Sequence, residues 1–187
     1  MKLKNIGNAI LFVVAISMGN TVSISAQEKT VVVGGAVMYP SKNIIENASN
    51  SKDHTILVSA VKAAGLVETL SGKGPFTVFA PTNRAFKMLP AATLDNLMKP
   101  ENKEALIGVL TYHVVPGKID SKSIMKAIKA GKGKATMKTV QGEDLTFMMD
   151  NKGVWVVDAK GNKAMIITKD VYQSNGVIHV IDHVMMP

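Results

Sequence analysis

Cysteine is absent from the 187-residue chain, and aromatic residues make up only 5% of it. Without cysteine the protein has no disulfide, no lipid-modified N-terminal cysteine and no thiol nucleophile, so its fold must be stabilised by the hydrophobic core alone. No apolar run approaches the roughly 20 residues that a membrane-spanning helix needs. We therefore expect a protein without a transmembrane anchor.

The N-terminus has the three parts of a secretory signal peptide. Two lysines precede an apolar run over residues 9–18, and a segment of small residues follows that run. The protein is therefore expected to be secreted, extracellular or periplasmic. We predict a signal peptide over residues 1–26, a tether over 27–38 and one domain over 39–187; Gly34-Gly35 and then Pro40 prevent a long element in and after the tether.

Positive charge is concentrated in one stretch of a chain whose formal net charge is +8. No carboxylate lies between Asp120 and Glu143, where the lysines are Lys122, Lys126, Lys129, Lys132, Lys134 and Lys138. The stretch has no arginine for bidentate phosphate contacts and no aromatic side chain on which a base could stack, so a nucleic acid is not expected. A solvated lysine face, an anionic polysaccharide and a membrane surface stay open as interpretations.

Hydrophobic periodicity divides the chain into a mainly helical half and a half of strands. Helical spacing predicts helices over 53–64, 83–89, 92–98, 101–110 and 121–130. Asp53 is expected to cap the first helix and Gly65 to end it. Short apolar segments between turn residues predict strands over 76–80, 134–140, 144–149, 154–158, 163–168 and 176–186. The order of elements indicates an α+β domain.

Three segments together carry a family resemblance. They are Thr-Val-Phe-Ala-Pro-Thr-Asn-Arg-Ala-Phe at 77–86, Tyr112-His113, and Gly-Val-Ile-His-Val-Ile-Asp at 176–182. In this order and spacing the chain resembles the fasciclin domain over residues 39–187. The resemblance implies a wedge of short β-strands with several helices packed on one side. It also implies a secreted or surface-tethered protein that mediates adhesion and has no catalytic site.

The resemblance further indicates where adhesion would reside. Tyr112-His113 is similar to a tyrosine-histidine motif to which integrin binding is ascribed in animal members of the family. Asp170-Val171 lies where those members place an Asp-Ile pair, but Thr168-Lys169 replaces the preceding Glu-Pro, which argues against an integrin-like contact. The candidate adhesion residues are Tyr112, His113, Asp170, Val171 and Tyr172.

Each of these candidates also has a structural interpretation. His113 is a candidate core histidine, hydrogen-bonded to a neighbour such as the Thr82-Asn83 turn, because buried polar groups need partners. Val171 is a candidate core residue, with Asp170 capping a turn. Burial of the side chains therefore distinguishes a structural role from a direct contact.

Catalytic and metal-binding patterns are weak. His179 and His183 are four residues apart and would chelate a metal on a helix, but β-branched residues around His179 favour a strand. A strand separates the two side chains by about 13 Å, so we expect no metal and no other cofactor. There is no Gly-x-Ser-x-Gly elbow, and the lysine-glycine segments 72–74 and 131–134 are too short for phosphate-binding loops. We interpret both segments as flexible turns and expect no enzyme.

The sequence thus predicts a secreted or cell-surface adhesion module without catalytic activity, whose partners are cell-surface or matrix proteins or polysaccharide. The alternative is an extracellular or periplasmic binding module for a small molecule or glycan. An enclosed apolar pocket with a few convergent polar groups would favour that alternative. A pocket that holds two titratable groups in contact would favour an enzyme.

Overall fold

The computed structural model of the protein describes residues 29–187, so the predicted signal peptide lies outside the described residues. The α-helices in this part of the chain are α1 (Ile44–Ala48), α2 (Thr55–Ala64), α3 (Val67–Ser71), α4 (Asn83–Lys87), α5 (Ala91–Leu97), α6 (Lys103–Tyr112) and α7 (Ser121–Ala130). A 3-10 helix covers Pro100–Asn102. None of the helices within residues 29–187 has the length and apolar character needed to cross a bilayer.

The strands form one large sheet and one small hairpin. They are β1 (Val31–Val33), β2 (Ala36–Met38), β3 (Phe76–Pro81), β4 (Val114–Pro116), β5 (Lys134–Lys138), β6 (Asp144–Met149), β7 (Val154–Val157), β8 (Lys163–Gln173) and β9 (Gly176–Ile181). The sheet has the order β4-β3-β9-β8-β7-β6-β5, and only β3 and β9 run parallel. Val140, just after β5, donates a hydrogen bond to the Val114 carbonyl oxygen at 2.8 Å, so the sheet curls towards closure. The predicted α+β wedge is confirmed.

Two groups of buried side chains form the core. The first lies between β3, β9 and the helices α1, α2 and α6, and it includes Leu57, Leu110 and Ile178. The second lies among the curled strands beneath α7, and it includes Phe147 and Ile124. The helix α7 presents Ile124 and Ile128 to this core at the spacing of one helical face.

Residues 31–38, which we predicted as part of a tether, form the β1-β2 hairpin. Val33 and Met38 are buried in the first core group, and the Gly34 carbonyl oxygen accepts from the Lys52 backbone N–H at 3.1 Å. The two glycines that we interpreted as a break are the hairpin turn, since Gly34 and Gly35 both have positive φ. The interpretation of this segment as a tether is wrong, because the hairpin is part of the folded domain.

The start of α2 also differs from the prediction. His54, not Asp53, occupies the capping position, and its side chain makes no capping hydrogen bond. The Ile56 backbone N–H at this end is instead bound by the Asn83 side-chain oxygen at 2.9 Å. Gly65 ends the helix in the left-handed conformation, as predicted. The cap is supplied by a residue 27 positions away, so the local sequence does not reveal it.

Candidate functional site

Tyr112 lies inside the protein. Its side chain is 0% exposed, and its hydroxyl donates to the Asp144 carbonyl oxygen at 3.1 Å and accepts from the Ala159 backbone N–H at 2.9 Å. Burial raises the pKa of the Tyr112 hydroxyl, so the group stays protonated at neutral pH. Tyr112 therefore connects the end of α6 to β6 and to the turn after β7, and it presents no surface to a partner.

His113 is buried beside it and has two backbone partners. Nδ1 lies 2.7 Å from the Val109 carbonyl oxygen, and Nε2 accepts from the Met185 backbone N–H at 3.0 Å. Because a carbonyl only accepts, Nδ1 carries the proton and the ring is neutral. Burial lowers the pKa of His113 to about 4. His113 therefore has the structural role considered above, but its partners are Val109 and Met185 and not the Thr82-Asn83 turn.

Asp170 connects β8 to α7. It lies at an irregularity of β8, where the register shifts between Thr168 and Val171 and the Asp170 φ is 58°. The carboxylate accepts from the Ser121 backbone N–H at 2.7 Å and from the Ser121 hydroxyl at 2.5 Å. Val171, the next residue, is 1% exposed and belongs to the first core group. The irregularity also explains why β8 continues to Gln173, five residues beyond the predicted end.

The remaining histidines do not converge on one site. His179 in β9 is fully buried, and its Nε2–H donates to the Ile119 carbonyl oxygen at 2.9 Å while its ring stacks on Phe79 with centroids 5.5 Å apart. His183 lies beyond the end of β9, with its Nδ1 2.8 Å from the Asp182 carboxylate. Within the part of the chain that the structure describes, no three His, Cys, Asp or Glu side chains are grouped to hold a metal.

Among the candidate adhesion residues, Tyr172 has a side chain that reaches the surface, and it lies beside an exposed lysine. It is half-buried, and the Lys118 Nζ lies 5.1 Å from the centroid of its ring. This distance is within the range of a cation-π contact. Burial and the nearby Asp170 and Asp120 carboxylates raise the pKa of the Tyr172 hydroxyl. Tyr172 and Lys118 thus form an aromatic-cation pair in which the lysine is exposed and the ring is half-buried.

Lys118 also lines an open cleft of about 470 Å³. We call this the hairpin cleft, because it lies between the loop after α3 and the tip of the β8-β9 hairpin. Its lining residues are Ser71, Gly72, Lys73, Gly74, Pro75, Lys118, Ser174, Asn175 and Gly176. From the sequence we interpreted segment 72–74 as a flexible turn, and the cleft that it lines was not predicted. The sequence signal for this cleft is the lysine between two glycines, but the other residues that line the cleft come from distant parts of the chain.

Hydrogen bonds fix the loops around the hairpin cleft. The Asn175 side-chain amide donates to the carbonyl oxygens of Leu70 at 2.8 Å and Gly72 at 3.0 Å, and its oxygen accepts from the Ile44 backbone N–H at 3.0 Å. On the other side, the Thr77 hydroxyl donates to the Gly117 carbonyl oxygen at 2.7 Å and accepts from the Ile119 backbone N–H at 2.9 Å. The segments on both sides of Lys118 and of Lys73 are therefore held in place.

The predicted lysine stretch forms an exposed surface on α7 and β5. Every one of its lysines is exposed, whereas Ile124 and Ile128 on the opposite side of α7 are buried. Lys134 and Lys138 alternate along β5 with partly buried residues. Within residues 29–187 no lysine lies within 4.0 Å of a carboxylate oxygen. The surface is consistent with a solvated lysine face, and its partner stays a prediction.

Comparison with known proteins identifies relatives of this chain. The fasciclin domain model matches residues 52–187. Protein sll1483 of Synechocystis sp. is 48% identical over 160 residues, which cover 86% of this chain and 82% of that protein. The cell surface glycolipoprotein MPB83 of Mycobacterium bovis is 37% identical over 145 residues, which cover 75% of this chain and 58% of that protein.

A solved structure has the same fold. It is a FAS1 domain pair from the insect cell adhesion molecule Fasciclin I, with a TM-score of 0.69. The match covers 84% of this chain and 57% of that chain. At 15% sequence identity, this likeness concerns the arrangement of strands and helices alone.

Proposed function

The chain belongs to the fasciclin domain family, and from this premise we propose that it is an exported surface module that mediates adhesion without catalysis. Support for the location comes from the signal-peptide pattern of residues 1–26 and from the relative that is a cell surface glycolipoprotein. Mass spectrometry of the native protein tests export: a chain that begins near Gln27 outside the cytoplasm is expected. An intact Met1 in the cytosol would contradict it.

The observation that carries the proposal is the pair of the half-buried Tyr172 in β8 and the exposed Lys118 on a loop that is fixed by hydrogen bonds. A rigid aromatic ring beside a cation gives contact area at a low cost in conformational entropy, which is typical of residues that dominate binding interfaces. Tyr112, His113 and Val171 are buried, and the Asp170 carboxylate is engaged by Ser121. We therefore place the contact at Tyr172 and Lys118.

The surroundings of the buried histidines give no support to catalysis at those residues. His113 and His179 have backbone carbonyl and N–H partners, whereas a catalytic histidine needs a nucleophile or a carboxylate within hydrogen-bond distance. His54 contacts the Ser51 hydroxyl at 2.9 Å, but both groups are buried and lie under the β1-β2 hairpin. Substrate would have no access to that pair.

A binding module for a small molecule or glycan is the second candidate, and the hairpin cleft favours the glycan. The apolar cavity beneath α1 and α2 measures only about 30 Å³, far below the roughly 300 Å³ that a small-molecule pocket needs. The hairpin cleft measures about 470 Å³, is open, and has two lysines and two serines in its lining. An open cleft with such groups suits part of a polymer better than an enclosed apolar ligand.

Adhesion is tested by coating beads with the purified protein and measuring the fraction of beads that cell-envelope material of the producing organism retains. Tyr172→Ala is expected to lower bead retention several-fold at a temperature where the variant is still folded. Tyr39→Ala is the matched control, because the Tyr39 ring also lies 5.1 Å from a lysine Nζ, that of Lys42. Tyr39 lies on the other side of β8. Its backbone binds Asn47, and Asn47 contacts Gln173. Gln173 follows Tyr172 in the strand, so their side chains point to opposite faces.

Parental retention by a folded Tyr172→Ala variant would place the contact elsewhere. The lysine surface on α7 and β5 would then be the next candidate. A melting temperature that falls together with retention would indicate that Tyr172 stabilises the hairpin. Retention at a bare-bead level for the parent protein would refute adhesion altogether.

A further inference from the structure

We infer that the hairpin cleft binds an acidic sugar unit of a polysaccharide, with the anionic group of the sugar between Lys73 and Lys118. The inference rests on the proposed function, because it names the chemical class of the surface partner. Three observations carry it: two cations without carboxylate partners, a lining of hydroxyl and backbone groups, and loops that are already fixed.

The charge of the cleft is positive and unpaired. Lys73 and Lys118 are both exposed, and no lining residue of the cleft is an aspartate or a glutamate. The two carboxylates that act on Tyr172, those of Asp120 and Asp170, accept hydrogen bonds from the Ser123 backbone N–H at 2.8 Å and from Ser121, and neither lies within 4.0 Å of the Lys118 ammonium group. Two ammonium groups on one cleft attract an anion, and contact with a charged group makes such hydrogen bonds stronger than neutral ones.

The other lining groups suit a sugar. Ser71 and Ser174 carry hydroxyl groups that both donate and accept, as sugar hydroxyls do. Gly74 and Gly176 let the two loops of the cleft pack closely, because a Cβ at Gly74 would lie 2.0 Å from the Asn175 carbonyl oxygen and one at Gly176 would lie 2.1 Å from the Phe76 carbonyl oxygen. The volume of about 470 Å³ lies within the range of ligand sites. The open side of the cleft lets a polymer continue past the bound unit.

Preorganisation lowers the cost of binding. The Asn175 side chain joins the loop after α3 to the β8-β9 hairpin, and the Phe76 backbone N–H donates to the Asn175 carbonyl oxygen at 3.0 Å. The Tyr172 ring restricts the Lys118 ammonium group from one side. Binding energy is therefore not used to order the loops.

The test is calorimetric titration of the purified protein with an alginate tetrasaccharide, a chain of uronic acids, and with the neutral maltotetraose. We expect saturable binding of alginate and none of maltotetraose. The double variant Lys73→Gln with Lys118→Gln is expected to weaken binding about tenfold or more. The control is Lys126→Gln with Lys129→Gln, which removes the same number of positive charges from the exposed face of α7. Its affinity for alginate is expected to stay within about twofold of that of the parent protein.

Several results would overturn the inference. Equal losses in the two double variants would indicate diffuse attraction to positive charge, and no alginate binding by the parent protein would remove the site. Displacement of alginate by an excess of inorganic phosphate would indicate an anion site without sugar recognition. Amide chemical-shift changes in the parent protein provide a check that needs no variant, since Gly72, Gly74 and Gly176 are expected to shift.

The bead assay separates this inference from the proposed function. Retention on cell-envelope material without alginate binding would refute the sugar and leave adhesion intact. Alginate binding without retention would refute adhesion and leave the cleft as a sugar site.

Discussion

Substitution of His113 tests the finding that the Tyr112-His113 motif is buried and that His113 has a structural role. In His113→Ala the Met185 backbone N–H loses its acceptor and the Val109 carbonyl oxygen loses a donor, both in the interior. An unpaired buried group costs about 1 to 3 kcal/mol, and the cavity left by the ring adds to it. We therefore expect the variant to be less stable by about 3 kcal/mol at pH 7.5. Urea unfolding followed by the fluorescence of the single tryptophan, Trp155, measures this difference.

The pH dependence of stability gives a second and more specific signature of His113. The unfolded chain binds a proton at the ordinary histidine pKa of 6.5, whereas burial lowers the pKa of His113 in the folded protein to about 4. Between these values the unfolded chain binds more protons, so acidification favours unfolding and the stability present above pH 6.5 is lost towards pH 4. From pH 7.5 to pH 5 the loss from this group is about 2 kcal/mol.

His113→Gln separates this titration from the hydrogen bonds. Glutamine can accept from the Met185 N–H but does not titrate, so the variant should retain more stability than His113→Ala at pH 7.5. Burial also lowers the pKa values of His54 and His179, which add to the acid sensitivity in every variant. The quantity to compare is therefore the difference between parent and variant. An equal loss of stability from pH 7.5 to pH 5 in parent and variant would refute the reasoning.

Two further substitutions test the helices. Gly108→Ala should stabilise the protein by about 0.5 to 1 kcal/mol, because Gly108 lies inside α6 and an added Cβ meets nothing within 4 Å; a lower urea midpoint would contradict this. Asn83→Ala should cost about 1 to 2 kcal/mol, because the Ile56 N–H at the start of α2 loses its acceptor. Asn83→Asp keeps an acceptor and should recover part of that loss, and a parental melting temperature for Asn83→Ala would show that the cap is dispensable.

Local patterns predicted the elements whose causes are local. The helix α7 covers residues 121–130 as predicted, because its apolar residues recur on one face and Asp120 binds the Ser123 backbone N–H at its start. The strand β6 also has its predicted bounds. The β1-β2 hairpin was missed although its signal is local, since Gly34-Gly35 is a two-residue turn of the type that hairpins favour.

Features that depend on distant residues were not predictable in the same way. The parallel pairing of β3 with β9 joins segments about 100 residues apart, as in the pair Phe76 and Gly176. The hairpin cleft needs three loops brought together by that pairing and by the Asn175 side chain. The family resemblance supplied the overall fold, but it directed attention to Tyr112 and His113, whose burial no local pattern reveals.

The position of His113 in the fold determines how its variants should be interpreted. Strand β9 begins at Gly176 beside the hairpin cleft and ends at Ile181, near the Met185 N–H that His113 binds. Five residues of strand separate these ends by about 17 Å. A loss of adhesion in His113→Ala can therefore arise from unfolding without any contact at His113. At a temperature where the variant is folded, its affinity for alginate should equal that of the parent, whereas a direct contact at His113 would lower it.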